Sequence, residues 1–289
     1  MPGWLKGFLR RPFVRALWTL HVEISRNDVF GLAAEMAYRF LFALFPFLIF
    51  LAAFVGFVGY RIGSADLFER VMGLIGVLFP GAVQQVLEDW VRGVLLTQST
   101  GLLTVGAAGA LWGAAGGVGT LIKGLNRAYG VSETRPFWVV QGLALLTTLV
   151  FALLMLGGVA AFTIGDAIIR WAVENLGANA RIWFWWNLVR GPGITIGLGI
   201  ALAVIYAVLP NRRLGFKHTW PGAIFATVAW LALTSGFGLY VTHLGSFDRT
   251  FGSLGAAVVL MVWMYAVGAI LLIGGHINAL VSGHARPAA

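Results

Sequence analysis

Six stretches of this chain, near residues 31–60, 101–122, 138–164, 192–209, 218–243 and 252–281, are apolar with few or no charges. Each is close to or beyond the about 20 residues that carry a helix across the hydrocarbon of a bilayer. Hydrophobic residues make up 59% of the chain and charged residues only 11%, with a mean hydropathy of +0.86. Soluble domains carry roughly 25% charged residues, so water cannot be the main solvent of this one. The expected fold class is an all-α integral membrane protein of about six transmembrane helices plus amphipathic interfacial helices.

The segments outside these runs have their own patterns. Residues 1–30 read as a cytoplasmic, basic amphipathic segment. Leu5, Phe8, Leu9, Phe13, Ala16, Leu17, Leu20 and Ile24 recur at helical spacing, with Arg11 and Arg15 opposite. With Trp4 and Trp18, this helix suits the anionic cytoplasmic surface of a bilayer. Pro12 is a candidate kink, and Asp28 a candidate cap for the next helix. No secretory signal precedes the first apolar run, which reads as an uncleaved span. Residues 31–283 then form the six-helix transmembrane domain, and residues 284–289 a short cytoplasmic tail. Within the domain, residues 64–100 are too polar to span. Pro80-Gly81 divides them, and Val83, Val86, Leu87, Trp90 and Val91 share a face opposite Gln84, Gln85, Glu88, Asp89 and Arg92. That pattern predicts an external amphipathic hairpin or lid.

The net charge of +9 is explained by loops rather than by nucleic acid. Lys123, Arg127 and Arg135 follow the second run, and Arg212, Arg213 and Lys217 follow the fourth. The positive-inside rule makes both loops cytoplasmic. Alternation puts the segment after the first run, the 165–191 connection and the Asp248-Arg249 turn outside. Both termini are then cytoplasmic and the address is the inner membrane. The expected partners are membrane lipids, with anionic headgroups at the cytoplasmic face, and no nucleic acid. A homo-oligomer is left open.

Few residues here can carry chemistry. Gly109-x3-Gly113-x3-Gly117, flanked by Gly106, Gly116 and Gly119, lets a neighbouring backbone come close; Gly193, Gly197, Gly252, Gly255, Gly274 and Gly275 offer similar crossings. Pro46 is a candidate bend in the first span. Packing is the plainer reading of the glycines, and unwinding beside a substrate the sharper one. Glu35 and Arg39 stand one turn apart with the acid N-terminal, the better order for a helical ion pair. Ionisable residues inside a span mark functional candidates, although these two could instead snorkel and anchor the helix. His276 and Asn278 lie near the cytoplasmic end of the last span, where a histidine is more often a hydrogen-bonded packing residue than a proton carrier. Cysteine is absent, the five histidines have no metal-ligand spacing, and no phosphate-loop or nucleophile-elbow sequence occurs. No catalytic residue, cofactor or metal is therefore expected, and the chain reads as a non-enzyme.

Several segments together resemble the YihY/virulence factor BrkB family. Ala33-Ala34-Glu35-Met36-Ala37-Tyr38 running to Leu44-Phe45-Pro46 resembles its first-span signature, and Leu125-Asn126-Arg127-Ala128-Tyr129 its motif after the second span. Tyr206 to Pro210 with Pro221-Gly222-Ala223, and Phe251-Gly252-Ser253-Leu254 through Trp263 to Gly274-Gly275-His276-Ile277-Asn278, resemble its later spans. The resemblance implies six helices, cytoplasmic termini and an inner-membrane address. It adds Asn126 to the polar candidates but implies no catalytic residue. Members were once labelled ribonuclease BN, a label regarded as mistaken, and others are linked to serum resistance or to moving envelope components. The family usually closes with Gly-Ala-Glu where this chain has Gly274-Gly275-His276, and is usually uncharged at the positions of Glu35 and Arg39. An acid thus looks exchanged between helices, which leads us to expect one cluster of Glu35, Arg39 and His276. A Gly-rich bundle with a few interior charges and an external lid favours a transporter or translocator of lipid or another envelope component. The alternative is a membrane scaffold or envelope-assembly factor, and a ribonuclease lacks a site.

Overall fold

The structure is a computed structural model that describes residues 12–62, 100–176, 179, 181–212, 214–243 and 247–283. These residues are almost wholly helical, with no strand among them. The helices are α1 (Pro12–Arg26), α2 (Val29–Ile62), α3 (Thr100–Ala128), α4 (Phe137–Leu176), α5 (Arg181–Val208), α6 (Trp220–His243) and α7 (Phe247–Val281), with a 3-10 turn at Phe216–His218 before α6. Six helices, α2 to α7, are long and apolar enough to cross a membrane. The chain is an all-α integral membrane protein. The expected lid at 64–100 lies outside the described residues apart from its last position, Thr100, which opens α3; the 284–289 tail lies wholly outside them.

Two expectations change. The 165–191 connection, read as an external loop, is mostly helix, because α4 runs 40 residues to Leu176 and α5 starts at Arg181. Between Gly165 and Leu176 there is no proline, and Asp166 is matched by Arg190 across the hairpin, so nothing local stops the helix. Pro192 stands inside α5 without ending it, as is common where neighbouring groups re-satisfy the backbone of a membrane helix. Asp28, expected to cap α2, instead has φ 53°. It occupies the left-handed turn that ends α1, a conformation that short polar side chains tolerate.

The chain divides into two compact units. One comprises Gly31–Thr120 and Ala232–Ala269. In it α3 lays its small residues along α2 in antiparallel order. A Cβ on Gly106 would meet the Phe50 backbone nitrogen at 2.6 Å, on Gly109 the Pro46 ring at 2.9 Å, on Gly113 the Ala43 Cβ at 2.7 Å, and on Gly117 the Phe40 ring at 2.7 Å. Gly119, off this stripe, has nothing within 4 Å. Burial in lipid gives helices no hydrophobic reason to associate, so close backbone packing of this kind holds them. Gly193 and Gly197 of α5 have open space instead, and no close crossing forms there.

The other unit comprises Met1–Phe30, Leu121–Leu231 and Ile270–Ala289. Its tightest crossing joins the start of α6 to the end of α7: Gly222 lies against the Gly274 carbonyl and the Asn278 amide. Gly222 is in the first turn of α6, where backbone N–H groups have no intrahelical partner, and its N–H donates to Asn278 Oδ1 at 2.6 Å. The Tyr206 hydroxyl of α5 packs on Gly274 and donates to the Leu271 carbonyl at 2.8 Å.

Candidate functional site

In the first of these units, Glu35 and Arg39 pair as their spacing predicts. Arg39 Nη2 stands 3.0 Å from Glu35 Oε1, and Arg39 Nε donates to the same oxygen at 3.1 Å. Thr120 adds a hydroxyl donor to Glu35 Oε1 at 3.0 Å. Gly116 leaves room for the guanidinium, because a Cβ there would stand 3.0 Å from Arg39 Nη1. At 1.5 Å of rise per residue the two side chains lie about 9 and 15 Å along α2 from its start at Val29. Yet 46% of the Arg39 side chain and 32% of that of Glu35 are exposed. One stripe over on α2, the exposed rings of Tyr38, Phe42 and Phe45 form a ladder with centroids 4.5 and 6.2 Å apart. The helix thus presents a neutralised but open charge pair beside an aromatic strip.

The second unit holds His276, Asn278 and Asn126, all buried. His276 Nδ1 is 2.9 Å from the Leu272 carbonyl, and Nε2 is 3.2 Å from Asn27 Nδ2. The Asn27 amide also donates to Glu23 Oε2 at 3.0 Å. Both ring nitrogens of His276 are therefore engaged inside this unit, and the acid beside the ring is Glu23. Within their own units, Glu35 and Arg39 are joined by Thr120, and His276 by Asn27 with Glu23. Glu23 is only 5% exposed and its Oε1 has no hydrogen-bond partner among the described residues. The same holds for Asn278 Nδ2 and the buried Tyr129 hydroxyl, whose ionisation burial pushes far above its ordinary range.

Asn126 ties two loops together. Its Nδ2 donates to Glu133 Oε2 at 2.8 Å and its Oδ1 accepts the Asn211 N–H at 2.7 Å. Asn211 in turn donates to the Ser132 carbonyl at 3.0 Å and the Thr134 hydroxyl at 2.8 Å. Arg135 grips Glu133 through Nε at 2.8 Å and Nη2 at 2.7 Å, and donates to the Leu209 carbonyl at the end of α5 at 2.9 Å. This bidentate grip, with the Asn126 hydrogen bond, lowers the Glu133 carboxyl to about 2. Arg127 Nη1 reaches the Asn27 carbonyl at 3.2 Å. The end of α1, the 129–136 loop, the 209–212 loop and the end of α7 consequently share one end of this unit.

Three residues were not among the candidates. Glu23 could have been noticed, because an acid three residues after Leu20 and seven after Ala16 interrupts the apolar stripe of α1. Asn27 and Thr120 carry no such signal, since either residue is ordinary at a helix end or in a span. A third polar contact, Arg190 Nη1 and Trp186 Nε1 on Asp166 Oδ1 at 3.1 and 2.7 Å, clasps α4 to α5. Among the described residues, no group of three or more His, Asp and Glu converges in a way that could hold a metal ion.

Comparison with known proteins places this architecture. The chain is 32% identical over 275 residues to the "ribonuclease-like protein YfkH" of Bacillus subtilis, covering 95% of each. It is 27% identical to a UPF0761 membrane protein of Alteromonas mediterranea, over 92% of this chain and 87% of that one. It is 26% identical to one of Chromohalobacter salexigens, over 94% of this chain and 64% of that longer one. No solved structure matches. The family profile described as Virulence factor BrkB matches residues 20–289, and the chain belongs to that family of multi-pass membrane proteins.

Proposed function

We propose that this protein moves a lipid or another amphiphilic envelope component across the inner membrane, with both termini in the cytoplasm, and that it is not an enzyme. The observation that carries this reading is the Glu35–Arg39 pair, a third to a half exposed within a span. Charge laid against hydrocarbon costs several kcal/mol, so what meets that face is polar at this depth. A zwitterionic or anionic headgroup fits: a phosphate takes the guanidinium, an ammonium takes the carboxylate, and the acyl chains run along Tyr38, Phe42 and Phe45. Lys123, Arg127, Arg212 and Lys217, at the end shared by both loops, support a cytoplasmic assignment of that end, facing anionic headgroups rather than nucleic acid.

The test is leaflet exchange of a fluorescent phospholipid in vesicles containing the purified protein. Exchange should exceed that of protein-free vesicles and fall at least about tenfold in Arg39→Gln, the order expected when a charge-assisted contact is lost. No excess over empty vesicles would leave the scaffold reading. Exchange equal in Arg39→Gln and the native protein would remove the pair from the path.

A further inference from the structure

α5 serves as a ruler for the hairpin it forms with α4. Its 28 residues from Arg181 to Val208 span about 42 Å at 1.5 Å of rise per residue, close to the roughly 40–45 Å of a bilayer with its headgroups. On that scale Arg190 lies about 27 Å and Trp185 about 35 Å from Val208. α4, at 40 residues and about 60 Å, would project well past a bilayer if it stood upright. The clasp of Asp166 on Arg190 and Trp186, with the Trp186 ring on Gly165, instead holds its last turns beside the first turns of α5. Exposed residues follow one order along both helices. On α4 they run from Ile168 through Trp171 to Asn175, aliphatic to aromatic to polar, as the chain approaches the tip. On α5, read back from Leu188 through Trp185 and Phe184 to Arg181, the order towards the tip is the same although the chain direction is opposite. Each of these apolar side chains is more than half exposed.

That succession of chemistries is the one a membrane presents from its hydrocarbon edge outward: acyl chain, the amphipathic interface that indole prefers, then phosphate and water. The charges agree with it. Asp166 and Arg190, at the level where hydrocarbon about 30 Å thick would end, neutralise each other. Nearer the tip, the exposed Arg170 and Arg181 have no ion-pair partner among the described residues, and a guanidinium grips phosphate through two hydrogen bonds. Two exposed amides fold back on their own helices, Asn175 onto the Trp171 carbonyl and Asn187 onto the Trp183 carbonyl, both at 2.9 Å, which satisfies one N–H of each without water. We infer that residues 168–175 and 181–188 form a docking surface for the headgroup layer of the leaflet opposite the 129–136 and 209–212 loops. Arg170 and Arg181 take lipid phosphates, and Trp171, Phe184 and Trp185 lie between these and the acyl chains. α4 then accommodates its length by inclining: at a tilt of about 40°, the upper end of the usual range, its about 60 Å projects to about 46 Å along the bilayer normal. The surface depends neither on the movement of lipid nor on which leaflet faces the cytoplasm, so its test does not use transport.

The full-length protein has no cysteine, so one spin label can be placed in turn at Asn179, Phe184 or Leu188, all exposed, in nanodiscs of phosphatidylcholine. Relaxation enhancement by oxygen relative to that by a water-soluble nickel chelate should rise at each step from Asn179 to Phe184 to Leu188. Asn179 should lie near the value of a label at the exposed Ser132 of the 129–136 loop. Adding phosphatidylglycerol should draw the Phe184 label deeper, and the double variant Arg170→Gln with Arg181→Gln should lose that shift. Ile182, also exposed, serves as the middle site should loss of the Phe184 ring impair folding. Values like that of Ser132 at all three sites would overturn the docking, as would a fixed dipolar distance between labels of two copies, which would give the surface to a second protein. No shift with phosphatidylglycerol in the native protein, or a shift that survives the double variant, would remove the phosphates from it.

Discussion

Glu133 shows what one side chain can do where two loops meet. Its carboxylate accepts from Asn126, from the Arg135 side chain and from the Arg135 N–H at 3.0 Å, and the group is lowered from 4.5 to about 2. A depressed folded-state value means that the stabilisation is complete above about pH 4.5 and is lost as pH falls towards 2. Partial exposure of the pair discounts it to roughly 1 kcal/mol. Glu133→Gln should therefore lower thermal stability in detergent at neutral pH, and the native and variant melting curves should converge between pH 4.5 and 2. A constant offset across that range would mean that the ion pair is not the cause. Gly222 is constrained differently: any Cβ there would strike both the Gly274 carbonyl and the Asn278 amide. The residue is needed for its lack of a side chain.

The helices are held by two kinds of contact, and the α2–α3 crossing is the dry one. Even alanine at Gly113 would press on Ala43 at 2.7 Å, and overpacking of this kind typically costs about 1–3 kcal/mol. Gly113→Leu should lower the melting temperature and the yield in detergent, while Gly119→Ala, with open space, should match the parent. Equal behaviour of the two variants would sink the zipper as a source of stability. The α4–α5 hairpin uses a polar clasp instead. Asp166 takes Arg190 and Trp186 from the facing helix, and the Trp186 ring lies on Gly165. Two charges that neutralise each other allow both helices to continue through a stretch whose composition alone looks like a loop.

Within their unit, the contacts of Asn27, Asn126, Asn211 and His276 bring the end of α1, two loops and the end of α7 to one side. If that side is cytoplasmic, a cysteine introduced into this Cys-free chain at Ser132 should resist an impermeant thiol reagent in intact cells, and one at Asn179, between α4 and α5, should react. Labelling of Ser132 from outside would invert the orientation. The number and placing of the spans were readable in the sequence because lipid imposes a length and an apolarity that no soluble segment needs. The Glu35–Arg39 pair and the Gly109-Gly113-Gly117 stripe were readable too, since i,i+4 spacing is local geometry. The extent of α4 and α5 was not, because it depends on Asp166 meeting Arg190, twenty-four residues away. Nor was the partner of His276, because Asn27 lies 249 positions from it and only folding joins them. Hydropathy and helical period act along the chain and are written in it; which polar group faces which is decided where helices cross, and that belongs to the tertiary structure alone.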